Sequence, residues 1–137
     1  MAKQDRFKKE YEKKCYSLEF LKRVYIPNNL EECFIELDKL LSDELKSQIK
    51  SFRGKRNFFA HHFGPGLWMR NKWGLWKGSR LKLYFKEKGI EHPDDMSAII
   101  SLFYVDWLNE INENWQNWEK STETVWRIDK IVNFFAN

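Results

Sequence analysis

The sequence predicts an all-α protein: a single compact domain of five to seven helices with an irregular middle rich in glycine and tryptophan. Apolar residues recur at helical spacing along most of the chain, nothing alternates like a strand for long, and Asn, Ser, Pro and Gly fall where helix boundaries are needed. The chain has 137 residues, 42% hydrophobic and 17% aromatic. That is enough for one core that buries roughly 68% of the unfolded chain's surface.

Residues 3–23 place Phe7, Tyr11, Cys15, Leu18 and Leu21 on one stripe among lysines, which predicts an amphipathic first helix. Pro27 disfavours helical geometry at Ile26, and Asn28 or Asn29 can then cap a second helix. Its stripe is Leu30, Cys33, Phe34, Leu37, Leu40 and Leu41, with Glu31 and Glu32 in the first turn, where acids suit the helix dipole. Ser42 caps a third helix, with Leu45, Ile49 and Phe52 inward and a stop at Gly54. From 55 to 78 the glycines and Pro65 allow only short helices and turns. Pro65 opens one that carries Leu67, Trp68, Met69 and Trp73. Ser79 caps a helix with Leu81, Tyr84 and Phe85 inward, ended by Gly89 with Ile90 packing back. His92-Pro93-Asp94-Asp95 opens the best helix of the chain, whose stripe is Met96, Ile99, Ile100, Phe103, Trp107 and Ile111. After a polar break holding Trp115 and Trp118, Ser121 or Thr122 caps a last helix over 122–136, with Val125, Ile128, Val132 and Phe135 inward. No repeat, low-complexity tract or linker divides the chain, so 1–137 reads as one domain.

There is no apolar run near the length of a membrane span, and the charged N-terminus lacks the apolar stretch of a signal peptide. The expectation is a cytoplasmic protein without membrane association. Cys15 and Cys33 stand far apart without a Cys-x-x-Cys or a neighbouring histidine, so both read as reduced thiols facing the core. The formal charge of +4 conceals strong blocks: +4 over residues 1–26, −2 over 27–53, +8 over 54–88 and −6 over 89–137. Either the basic middle and the acidic tail neutralise each other, or one of them steers an oppositely charged partner.

The stretch from His61 to Ser97 holds all three histidines, five of the six glycines and three of the seven tryptophans. Its ordered elements are His61-His62, Gly64, Gly66, Trp68, Arg70-Asn71, Trp73-Gly74-Leu75-Trp76, Ser79-Arg80-Leu81, Tyr84-Phe85 and His92-Pro93-Asp94-Asp95-Met96-Ser97. In these the chain, over about 26–108, resembles an uncharacterised bacterial family, one of the domains of unknown function. The resemblance implies no activity, because none is established for that family. Residues 3–23 and 122–136 flank the family-like core.

Four functional readings follow from the residues. The first is a non-enzymatic protein-binding module, such as a cytoplasmic immunity protein that neutralises a secreted bacterial toxin, with Asp106, Glu110, Glu113 and Glu119 as an acidic face for the partner. The second is nucleic-acid binding through Arg70, Asn71, Lys72, Trp76, Lys77 and Arg80, where cations meet phosphates and rings stack on bases. The third is a small hydrolase and the fourth a metal-dependent enzyme, both around His61, His62, His92 and Asp94. These are weak: adjacent His61 and His62 diverge by about 100° on a helix, and no nucleophile, P-loop or zincin motif accompanies them. His92, Asp94 and Asp95 read more simply as caps, and no metal or cofactor is expected.

Overall fold

The computed structural model describes residues 3–121. The helix predicted over 122–136, with its cap at Ser121 or Thr122, lies outside them apart from Ser121. The first helix, α1 (Lys3–Cys15), ends at Cys15 rather than at Arg23. Residues 20–25 turn back as a minimal hairpin, β1 (Phe20–Leu21) against β2 (Val24–Tyr25), antiparallel with Phe20 opposite Tyr25. Lys22 and Arg23 make the reversal at φ 48° and 69°. A two-residue hairpin turn of type I′ needs positive φ at both central positions and usually announces itself with Asn-Gly. Here two cationic residues adopt it, so the sequence carried no signal. Of the stripe read into the first helix, Cys15 is buried and Leu21, now in β1, packs partly buried against the core, while Phe7, Tyr11 and Leu18 stay in solvent.

The second helix, α2 (Leu30–Leu40), begins where Asn29 accepts the Glu32 N–H at 2.9 Å and buries Leu30, Cys33, Phe34 and Leu37. Ser42 accepts the Leu45 N–H at 3.2 Å and starts α3 (Asp43–Lys50), of which only Ile49 is fully buried. Two short helices follow, α4 (Arg56–His62) and α5 (Gly66–Lys72). Ser79 caps α6 (Arg80–Glu87) by accepting the Lys82 N–H at 3.1 Å. The predicted stop is present: Ile90 N–H reaches Phe85 O and Gly89 N–H reaches Lys86 O, both at 3.0 Å, with Gly89 at φ 84°.

The longest helix, α7 (Pro93–Leu108), organises the rest. His92 Nδ1 accepts the Asp94 N–H at 3.0 Å, and Pro93 occupies the first turn. Every residue from Met96 to Asp106 is buried, not only the stripe the periodicity marked. A helix covered all round must be enclosed by others, and α2, α3, α4, α5, α6 and α8 (Asn112–Gln116) all pack on it. The last described helix, α9 (Trp118–Ser121), is short and places Trp118 in the core beside Tyr84 and Phe85. Among the described residues there are nine helices; the number exceeds seven because α8 and α9 are scarcely more than single turns.

Small residues let α4 and α5 approach α7 closely. A Cβ on Gly64 would lie 2.7 Å from Ser101 Oγ, inside van der Waals contact, so the α4–α5 link touches α7 only because both positions are small. Cys15 and Cys33 are buried thiols, as read from the sequence. Burial pushes the Cys33 thiol well above its ordinary pKa, with Glu32 adding to the effect.

Candidate functional site

The polar residues of the 61–97 stretch are mostly taken up in holding the chain together. Arg70 reaches the N-terminal turn of α7, donating from its Nη1 to Ser97 Oγ at 2.8 Å and pairing its Nε with Asp94 Oδ1 at 3.3 Å. Ser97 Oγ in turn donates to the Asp94 carbonyl at 3.1 Å. Arg80 donates from Nε to the Ile26 carbonyl at 2.8 Å and lies over the Tyr25 ring at 5.1 Å, tying α6 to the hairpin. Both arginines join elements far apart in sequence; Arg70 is engaged on α7, while Arg80 also lines a concavity of about 350 Å³ with Tyr16, Asn28, Asn29, Leu83, Tyr84 and Glu87.

The histidines do not converge. His61 Nδ1 lies 3.0 Å from the Asn57 carbonyl, and His62 packs on the Phe58 ring at 4.8 Å. His92 is spent on the α7 cap and on an edge contact with Trp76 at 5.7 Å. Among the described residues no group of three or more His, Cys, Asp or Glu side chains is arranged to hold a metal ion. Asp95 is half-buried in the first turn of α7.

Of the four acids expected to form a partner-binding face, Asp106 is not at the surface. Asp106 is 0% exposed; its Oδ2 pairs with Arg56 Nη2 at 2.9 Å and accepts from Asn114 at 3.2 Å. Burial raises the Asp106 carboxyl above its ordinary pKa, and Arg56, Asn114 and Arg53 pull it partly back. This acid is an internal tie between α4, α7 and α8 and cannot meet a partner. Glu119 pairs with Lys88 at 2.9 Å. Glu110 and Glu113 remain exposed. Glu110 ends α7 at φ 59°, where the Ile111 N–H closes back on Asp106 O at 2.9 Å.

Two larger surface concavities lie elsewhere. One is a furrow of about 490 Å³ lined by Leu41, Leu45, Gln48, Ile49, Phe52, Phe59, Phe63 and Pro65, between α3 and α4. Phe52 meets Phe59 at 5.3 Å and Phe63 at 5.8 Å between ring centres, and Phe58 meets Phe63 at 5.4 Å. Phe63 is 62% exposed and Leu45 47%. Of the residues read as inward on the third helix, Ile49 is buried and Phe52, just past α3, packs against the core, whereas Leu45 stands exposed at this opening.

The other is a cleft of about 520 Å³ between α1 and the turn after α5, lined by Phe7, Lys8, Tyr11, Glu12, Trp76, Lys77 and Lys82. Leu75 is fully buried and anchors the turn, while Trp76 and Lys77 face outward. Gly78, at φ 131°, brings the turn against α1: a Cβ there would meet Glu12 Cα at 3.0 Å and Cγ at 2.8 Å. Glu12 holds the other side, pairing with Lys82 at 3.0 Å and Lys86 at 3.6 Å. Burial alone would raise the Glu12 carboxyl, but hydrogen bonds from Tyr16 and Lys82 and the two lysine charges outweigh it and lower the pKa. Of the residues proposed from sequence for nucleic acid, this cleft takes Trp76 and Lys77; Asn71 and Lys72 are exposed in the last turn of α5. Phe7 and Tyr11 were overlooked because their i, i+4 spacing reads as a core stripe.

Among the described residues no helix is long and apolar enough to cross a membrane. No curated protein and no solved structure matches the chain. The family model Domain of unknown function (DUF6794) matches residues 26–108, which include the Arg70–Asp94–Ser97 cluster, the Arg80–Ile26 hydrogen bond and the whole furrow but not α1, and the chain belongs to that family.

Proposed function

We propose that this protein is a non-enzymatic module that captures another protein, in the manner of a cytoplasmic immunity protein that neutralises a bacterial toxin. The observation that carries the reading is the furrow between α3 and α4. It gathers leucine and phenylalanine side chains that are partly in water although the core beside them is closed. Rings of this kind, preformed and clustered, are the usual anchors of a protein interface. The occupant that fits is the apolar face of an amphipathic helix.

Charge specifies that helix further. From Leu45 to Lys86 the chain contains no Asp or Glu. The turn joining the two walls of the furrow carries Arg53 and Lys55, both exposed, and Glu44 is the one acid adjacent in sequence to a lining residue. A partner helix with acidic flanks is therefore favoured over a basic one, which reverses the complementarity expected from the acidic tail.

Fluorescence anisotropy with two synthetic helices tests this. Both carry leucines at i, i+3, i+4 and i+7, one with glutamates on its remaining faces and the other with lysines. The glutamate helix is expected to bind at least about tenfold more tightly, a difference of about 1.4 kcal/mol. Leu45→Glu with Phe63→Glu is expected to abolish binding, and Glu110→Lys with Glu113→Lys to leave it intact. Absence of binding, insensitivity to Phe63→Glu, or a furrow already filled by a second copy of the chain would overturn the proposal. For the toxin role, wild-type protein is expected to rescue cells from its captured partner and the Phe63→Glu variant to fail.

A further inference from the structure

We infer that the cleft between α1 and the turn at 74–78 binds single-stranded nucleic acid, a base stacking on Trp76 and the rings of α1 while Lys8 and Lys77 meet the phosphates. This site shares no residue with the furrow, so it goes beyond the protein-capture reading and stands or falls separately.

Three rings from two distant parts of the chain are brought to one opening and left in water: Phe7 is 68% exposed, Tyr11 and Trp76 each 49%. Core tryptophans behave differently here, as Trp73 and Trp118 show by being almost fully buried. Trp76 is outside because the buried Leu75 and the close approach at Gly78 fix the turn that carries it. Its ring meets the edge of His92, 5.7 Å away. The cleft, at about 520 Å³, falls within the roughly 300–1,000 Å³ of small-ligand sites, so it has the volume for a flat base.

The charges around it are cationic. Lys82 and Lys86 are engaged with Glu12, which makes them positioning groups that keep α1 on the turn. Lys8 and Lys77 are exposed at the opening and pair with no acid among the described residues. The fold thereby joins the two positive blocks of the sequence, 1–26 and 54–88, across one aromatic opening. Lys9 and Lys14 flank the cleft-lining stripe of α1, whereas Arg6 and Lys13 lie on the opposite side of that helix, and Lys72 on α5 is exposed as well. Cations outside the cleft favour a polymer over a mononucleotide, since phosphates beyond the stacked base can meet them. Aromatic platforms flanked by cations are how proteins hold single strands without reading sequence.

The test is fluorescence anisotropy of the full chain with a labelled oligo-uridylate and an oligo-thymidylate of about 12 nucleotides, the length a single binding surface occupies. Binding is expected at low salt and is expected to weaken steeply as salt rises. Trp76→Ala leaves the net charge unchanged, so its effect separates stacking from the attraction any basic protein exerts. It is expected to weaken binding about 5- to 150-fold, the worth of one stacked base. Trp68→Ala, also an exposed tryptophan but outside the cleft, is expected to leave binding unchanged, and Lys8→Glu with Lys77→Glu to abolish it. Unchanged thermal melts show that the variants fold. No binding at low salt, equal loss for Trp76→Ala and Trp68→Ala, uridine monophosphate binding as tightly as the oligomer, or self-association that Trp76→Ala removes would each overturn the inference.

Discussion

Phe34→Ala is expected to lower the unfolding free energy by about 3 to 5 kcal/mol, the cost of deleting a fully buried ring whose neighbours cannot close the gap. Phe34 is 0% exposed and is the ring through which three others meet: Tyr104 at 6.1 Å, Trp107 at 5.9 Å and Trp115 at 5.7 Å between centres. Two of these belong to α7 and the third to α8, so the loss falls on the contact that joins α2 to the central helix. Urea unfolding measures it as a lower midpoint at an unchanged slope. Phe7→Ala provides the contrast, since Phe7 lies in solvent on α1, and its cost should stay within about 0.5 kcal/mol. Equal costs for the two changes would mean that α2 is not packed as described.

Arg56→Ala is expected to be nearly as damaging at neutral pH, at about 3 kcal/mol, because it leaves the Asp106 carboxylate buried without its countercharge. Asp106 Oδ1 already has no hydrogen-bond partner among the described residues, and Asn114 alone cannot replace an arginine. The sign of the pH dependence follows from the raised carboxyl pKa. A carboxyl raised above its ordinary value of 3.8 contributes stability below that value and loses it as pH rises through the folded-state pKa. Removing Arg56, which pulls the pKa back, extends that loss, so the Arg56→Ala penalty is expected to shrink as pH falls and Asp106 takes up its proton. Paired melts at neutral pH and near pH 4 check this, and a penalty that grows in acid would contradict it. The same burial explains why charge reversal at Asp106 would report on folding and not on partner association.

Helix boundaries were legible wherever a cap has a local chemical cause: Asn29, Ser42, Ser79 and His92 all accept the hydrogen bonds their positions suggested. The short first helix was not, because Lys22 and Arg23 form their turn without the residues that normally mark one. Asp106 was misjudged as a surface acid although it lies three residues after Phe103, on the same stripe. Its burial depends on Arg56, fifty positions earlier, and a pairing across that separation leaves no periodic trace. That Arg70 ties to Ser97 and Asp94, and Arg80 to the Ile26 carbonyl, emerged only with the fold. Both concavities escaped notice for one reason. Periodicity identifies an apolar stripe but not how far along the stripe a neighbouring helix covers it, so Phe7, Tyr11 and Leu45 could not be told from core residues.

Recognition of a protein partner through the furrow, and not through the C-terminal acids, is tested most directly by amide hydrogen exchange of the full chain alone and with its captured native partner. Slowed exchange is predicted across 43–63, the span of α3 and α4, with exchange at 110–120 unchanged. Protection confined to 110–120, with 43–63 exchanging as in the unbound chain, would contradict it.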